Sequence, residues 1–138
     1  MAKEEAAPSE KEWAIMEVLW EANGTLTSAE IIKRLHGTVN MTSKMVRVLI
    51  NRLHQKKIID YVQDGQDARV YHYFPLKSRE ECRKEKSKKF IDSYFSGNGA
   101  NAFASLLESV TLTKGQIQEL EGMLEQAKGK DGKGRGIE

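Results

Sequence analysis

Residues 42–75 read TSKMVRVLINRLHQKKIIDYVQDGQDARVYHYFP, a helical pattern running directly into two β-type runs. Thr42 suits an N-cap, and Val46, Leu49, Ile50 and Leu53 recur at i, i+3, i+4 and i+7, the spacing of one buried helical face. That spacing predicts a helix from Thr42 to about Lys56. Lys44, Arg47, Val48 and Asn51 fall on the opposite face. Residues 58–62 and 69–74 are rich in β-formers, with Asp64-Gly65 as a hairpin signal between them and Pro75 as a stop.

Upstream, Ser9-Glu10-Lys11-Glu12 and Thr27-Ser28-Ala29-Glu30 are capping boxes, each opening a short amphipathic helix. The first carries Trp13, Met16, Leu19 and Trp20 as an apolar stripe, with both tryptophans expected as core anchors, and stops near Asn23-Gly24. The second carries Ile31, Ile32 and Leu35 and closes at His36-Gly37. Three helices and a hairpin, in that order, make a winged helix-turn-helix whose third helix reads and whose hairpin loop is the wing.

Downstream, Ser78-Arg79-Glu80-Glu81 opens a long helix to about Phe95, which Ser96-Gly97-Asn98-Gly99 breaks. Phe103, Leu106, Leu107 and Val110 mark another helix. Thr113–Gln116 starts a last one, with Ile117, Leu120, Leu124 and Ala127 as its stripe. Three short helices have too little mass to bury these stripes alone. A second copy should cover them, making Phe90, Ile91, Tyr94, Phe103, Leu106, Leu107, Ile117, Leu120 and Leu124 dimerisation residues. The expected organisation is mainly α with a small β-hairpin: a winged helix-turn-helix domain at 1–77 and a three-helix dimerisation region at 78–128. A disordered Gly/Lys-rich tail is expected at 129–138.

Charge is distributed unevenly. Residues 31–59 hold seven bases (Lys33, Arg34, Lys44, Arg47, Arg52, Lys56 and Lys57) and no acid, whereas residues 2–30 hold seven acids and two bases. The whole-chain balance of +2 conceals this. Concentrated positive charge on an apolar-patterned helix is the footprint of a polyanion-binding surface. Early positions of a reader helix face base edges, which selects Ser43, Lys44, Met45, Arg47 and Val48. Arg47 can bond guanine O6 and N7 in bidentate fashion, and Val48 can pack on a thymine methyl. Thr42, Asn51, Arg52, Lys56, Lys57 and Arg69 are expected at phosphates, where they set register and salt dependence rather than sequence.

Other classes fare poorly. No apolar run is long enough to span a bilayer, and residues 1–10 are acidic without a signal-peptide core, so a cytoplasmic location is expected. His36, His54 and His72 lack ligand-spaced partners, and no nucleophile motif or phosphate loop appears, so neither an enzyme nor a metal or other cofactor is expected. The single cysteine, Cys82, excludes an internal disulfide, and an inert buried thiol is its favoured reading.

Residues 12–20 (EWAIMEVLW), 27–31 (TSAEI), Asn51-Arg52-Leu53 and 71–76 (YHYFPL) together resemble the penicillinase repressor family (BlaI/MecI/CopY), over residues 9 to 127. The resemblance implies a homodimeric winged-helix repressor of an inverted repeat built around TACA/TGTA, dimerised through intertwined C-terminal helices. It gives Lys44 and Arg47 base-reading roles. Where the family has Trp-Ser-Pro-x-Thr entering the reader, this chain has Met41-Thr42-Ser43-Lys44-Met45, so a methionine replaces a hydroxyl. The cysteine cluster of copper-responsive members is absent. The bond cleaved in β-lactam-responsive members, through a membrane sensor protease pathway, falls at Ser105-Leu106, where the dipeptide differs. Two rivals stand beside this reading: a protein-interaction module on a winged-helix scaffold, and a ligand- or redox-responsive regulator switched at Cys82 or at the cleft between the domains.

Overall fold

The structure is a computed structural model and describes residues 7–134. Its elements are α1 (Glu10–Glu21), α2 (Ser28–Leu35), α3 (Ser43–Gln55), β1 (Ile59–Gln63), β2 (Tyr71–Pro75), α4 (Arg79–Phe95), α5 (Gly99–Ser109) and α6 (Lys114–Gly134). Contacts group them into two compact units, one up to Ser93 and one from Tyr94.

Capping chemistry sets the helix starts. The Ser9 Oγ accepts from the Glu12 N–H at 3.2 Å while the Glu12 carboxylate accepts from the Ser9 N–H at 2.9 Å, and Thr27 with Glu30 repeats the exchange. Ser78 with Glu81 and Thr113 with Gln116 do the same at the heads of α4 and α6. Each cap stabilises its helix by about 1 kcal/mol.

The first unit is a winged helix. Its core comprises Ile15, Met16 and Leu19 of α1, Ile31 and Leu35 of α2, Val46, Leu49, Ile50 and Leu53 of α3, with Ile58, Ile59, Tyr73 and Cys82. The strands pair antiparallel with Tyr61 opposite Tyr73 and Ile59 opposite Pro75. Pro75 thus closes the ladder from within, which a strand end tolerates because Pro lacks only the donor. Leu26 adds a rung the sequence did not announce, exchanging backbone hydrogen bonds with Tyr73 at 3.0 and 2.8 Å. It ties the α1–α2 connection to the hairpin.

The stripe of α1 differs from expectation. Glu12, Ile15, Met16 and Leu19 are its buried residues, and the two tryptophans lie at the margin. Trp13 and Trp20 pack edge-on at 5.3 Å, their indole N–H groups donating to the Glu17 carboxylate and the Lys77 carbonyl. A ring with a polar edge settles where that edge finds a partner. Arg79 of α4 lies over Trp20 and bonds both Glu17, at 2.6 Å, and Glu21, at 3.1 Å. Its guanidinium holds the Glu17 carboxyl below the usual carboxylate range. This depressed acid contributes stability above its ordinary pKa, and that contribution fades as pH falls through the lowered value.

α4 therefore belongs to the winged unit as far as Ser93, which places the boundary later than the one expected after residue 77. Cys82, fully buried among the core side chains, holds it there. Ser96 and Gly97, at φ 49° and 80°, break the chain after α4 as expected. The tail expected to lose order at 129 is corrected as far as Gly134, because α6 continues that far; residues 135–138 lie outside the described residues.

Glu12 is buried (1% exposed) and its Oε1 meets the Lys56 ammonium at 2.7 Å, with 15% of the lysine side chain exposed. Removing one partner of such a pair leaves an uncompensated buried charge and costs about 3–5 kcal/mol. Glu12→Gln keeps an acceptor for the Ser9 cap but strands the lysine. It should lower the urea midpoint by an amount of that order, and adding Lys56→Met should recover most of the loss. An unrecovered double variant would place the cost in the cap instead. Cys82 gives a second test: burial pushes its thiol pKa up, so iodoacetamide should leave it unmodified in the folded protein and alkylate it in urea. Rapid modification without urea would reopen the redox reading.

Candidate nucleic-acid interface

The outer face of α3 follows from its inner one. At about 100° per residue, burying Val46, Leu49, Ile50 and Leu53 turns a continuous arc outward, in the order Ser43, Arg47, Asn51, Lys44, Val48, Arg52, Met45. All seven are exposed. Met45 and Val48 keep 37% and 40% of their surface in solvent, so apolar area sits among the cations. Thr42 caps the helix, its Oγ1 accepting from the Met45 N–H at 3.0 Å. The hydroxyl proton stays free to donate beside the N-terminal N–H groups. Lys44, Arg47 and Arg52 make no ion pair among the described residues.

The expected phosphate set divides differently. Lys56 is corrected: its ammonium is bonded to Glu12 at 2.7 Å and approaches the Ala7 carbonyl at 3.4 Å, so it is a structural cation, not a free one. The sequence offers no local sign of this, because its partner lies 44 residues upstream. Lys57 is exposed at φ 65°. Its N–H donates to the His54 carbonyl and that of Ile58 to Leu53, the paired bonds of a Schellman helix end. This conformation usually falls to glycine, so a lysine here holds its charge out at some backbone cost.

Arg69 is also corrected. Its guanidinium chelates Asp67, with Nε and Nη2 donating at 3.0 and 3.1 Å, and this pair closes the wing loop. Asp64 accepts from the Gln66 and Asp67 N–H groups, both at 3.0 Å, and its other oxygen lies 2.9 Å from His72 Nε2. The bond from His72 chiefly holds Asp64 below the usual carboxylate range, and that from Arg69 does the same for Asp67. The wing tip is thus well ordered but carries two carboxylates against one arginine.

The remaining histidines form no cluster. His54, near the end of α3, lies 3.4 Å from Asp60 and against Tyr61, which stacks on Tyr71 at 4.1 Å. His36 is exposed beyond α2.

In the second unit, Phe103, Leu106 and Leu107 of α5 and Ile117 and Leu124 of α6 keep between 44% and 65% of their surface exposed, while Leu120 is half-buried. Near the boundary, Phe90 and Tyr94 are exposed and Ile91 half-buried. Ser105-Leu106 lies inside α5, where the Ser105 carbonyl also accepts from the Ser109 hydroxyl at 2.8 Å.

The model of the penicillinase repressor family matches residues 8–126. The methicillin resistance regulatory protein MecI of Staphylococcus aureus is 26% identical over 116 residues, covering 84% of this chain and 91% of that protein. The penicillinase repressor of Bacillus licheniformis is 27% identical over 120 residues, covering 87% and 91%. The solution structure of the DNA-binding domain of the repressor BlaI is similar at 24% identity and a TM-score of 0.48, covering 58% of this chain and 93% of that one. With nearly all of the described chain inside the family match, the chain belongs to the penicillinase repressor family.

Proposed function

We propose that this protein is a cytoplasmic homodimeric transcriptional repressor that reads an inverted-repeat operator through the major groove. The observation that carries the reading is the outward arc of α3, where unpaired cations alternate with half-exposed apolar side chains on a winged helix. Arg47 bonds a guanine edge, Val48 and Met45 pack on thymine methyls, and Ser43 and Lys44 reach base edges or the adjoining phosphates. Thr42, Asn51, Arg52 and Lys57 hold backbone. Lys56 and Arg69 leave that set, because each already has a carboxylate.

Two copies joined through the apolar faces of α5 and α6 present two readers about one helical turn apart, and the bound dimer occludes a promoter. The regulated gene is of a β-lactam-type or stress response. Release runs through a membrane sensor protease pathway acting at Ser105-Leu106, where α5 must open locally before an extended peptide can be cut. The burial of Cys82 counts against a redox switch at that residue.

In a gel shift on a duplex selected from a random pool, Arg47→Ala should weaken binding and relax preference at one base pair in each half-site, by about 1–3 kcal/mol. Lys57→Gly, which relieves the left-handed backbone while deleting the charge, should weaken selected and scrambled duplexes alike and lower the salt slope by about one. An Arg47→Ala protein with unchanged preference would remove Arg47 from base reading. In sedimentation, Leu124→Asp should convert dimer to monomer and lose operator affinity. A dimer that persists would move the interface elsewhere.

A further inference from the structure

The first turn of α1 and the outer face of α3 enclose a groove that includes Glu10, Lys11, Lys44, Met45, Val48 and Arg52. Lys11 lies in the acidic N-terminal third of the sequence, outside the acid-free stretch, and no spacing rule attaches it to α3. In the fold it is exposed and makes no ion pair among the described residues. It also stands in the first turn of α1, where a cation opposes the helix dipole and is locally unfavourable. Its neighbour Glu12, by contrast, is absorbed by Lys56. Three cations therefore line the groove against one carboxylate, Glu10, above an apolar floor of Met45 and Val48.

We infer that this groove borders the sugar–phosphate backbone of one operator strand, with Lys11 and Arg52 on phosphates while Met45 and Val48 stay turned to the bases. The charges are complementary along the strand: each repeat offers one negative charge to the groove's cations. A helix in the major groove is flanked by backbone on both sides, so a strand passes close to whichever element borders the reader, and on this side that element is α1. The inference rests on the DNA-binding reading and adds to it a contact from α1, at a residue outside the reader helix and wing.

Full-length wild type, Lys11→Gln, Glu10→Gln and Arg47→Ala should be titrated with the selected duplex and a scrambled duplex across a salt series. Lys11→Gln should lower the slope of log affinity against log salt by about one, weaken both duplexes by the same factor and leave base preference intact. Glu10→Gln should tighten both. A Lys11→Gln slope equal to wild type, beside an Arg47→Ala protein that has lost preference, would overturn the groove while leaving DNA reading in place. Altered base preference in Lys11→Gln would overturn it too, by making Lys11 a base reader. Wild type showing no salt-dependent binding to either duplex would overturn the DNA reading, and the groove with it.

Discussion

Everything the winged unit presents to a partner depends on the burial of Val46, Leu49, Ile50 and Leu53 beneath α1, α2 and the hairpin. Each buried side chain of this kind contributes about 1.5–3 kcal/mol. Their spacing leaves α3 a single rotational setting, because a turn of one position either way would expose three of the four and bury Arg47 or Arg52. The arc from Ser43 to Met45 is what remains outside. The reader is therefore specified through its inner face, and the Thr42 cap and the Schellman end at Lys57 fix where it starts and stops.

The distribution of charge follows a second constraint: a cation near a carboxylate is consumed by it. Lys56 is held by Glu12, Arg69 by Asp67, Lys77 by Glu85 and Arg79 by Glu17 and Glu21. Counting bases in residues 31–59 therefore overstates the field available to a polyanion. Within the stretch Lys56 is the one removed; Lys33 and Arg34 on α2 and Lys44, Arg47, Arg52 and Lys57 on and after α3 remain, and Lys11 joins them from outside it. The wing, with Asp64 and Asp67 at its tip, contributes shape and order more than attraction.

What the sequence made legible and what it hid divide along the same line. Helix starts and the faces of α2 and α3 were readable because capping boxes and apolar periodicity act within a few residues. The winged-helix order was readable because the hairpin follows α3 at once. Most hidden features depended on distant partners: Leu26 pairs with Tyr73, Glu12 with Lys56 and the Trp20 edge with Lys77, so α1 turned an acid inward beside Met16 and Leu19 while the tryptophans moved to the margin. The Arg69–Asp67 pair is local, but nothing in the spacing of an exposed arginine tells a loop carboxylate from a phosphate as its partner. The length of α6 was missed for a different reason: its glycines lower helix propensity, but propensity is a weak prior beside a helix already nucleated and carried by intervening lysines and other good helix formers.

The exposed apolar side chains of the second unit support the proposed homodimer. Phe103, Leu106, Leu107, Val110, Ile117, Met123 and Leu124 are all substantially exposed within fewer than 30 residues of sequence. Monomeric proteins rarely leave so dense an apolar surface in water. The same faces would be buried at no new sequence cost by a second copy, since a two-fold interface uses one patch twice. That arrangement also answers a weakness of the reader. In the proposed complex, the few free cations and the one base-reading arginine of a single chain would make a poor operator ligand, and linking two such readers would raise their effective concentration on adjacent half-sites. On the proposed reading, a cut in α5 would separate the apolar face of α6 from the readers and end operator occupancy without removing any residue of the α3 arc.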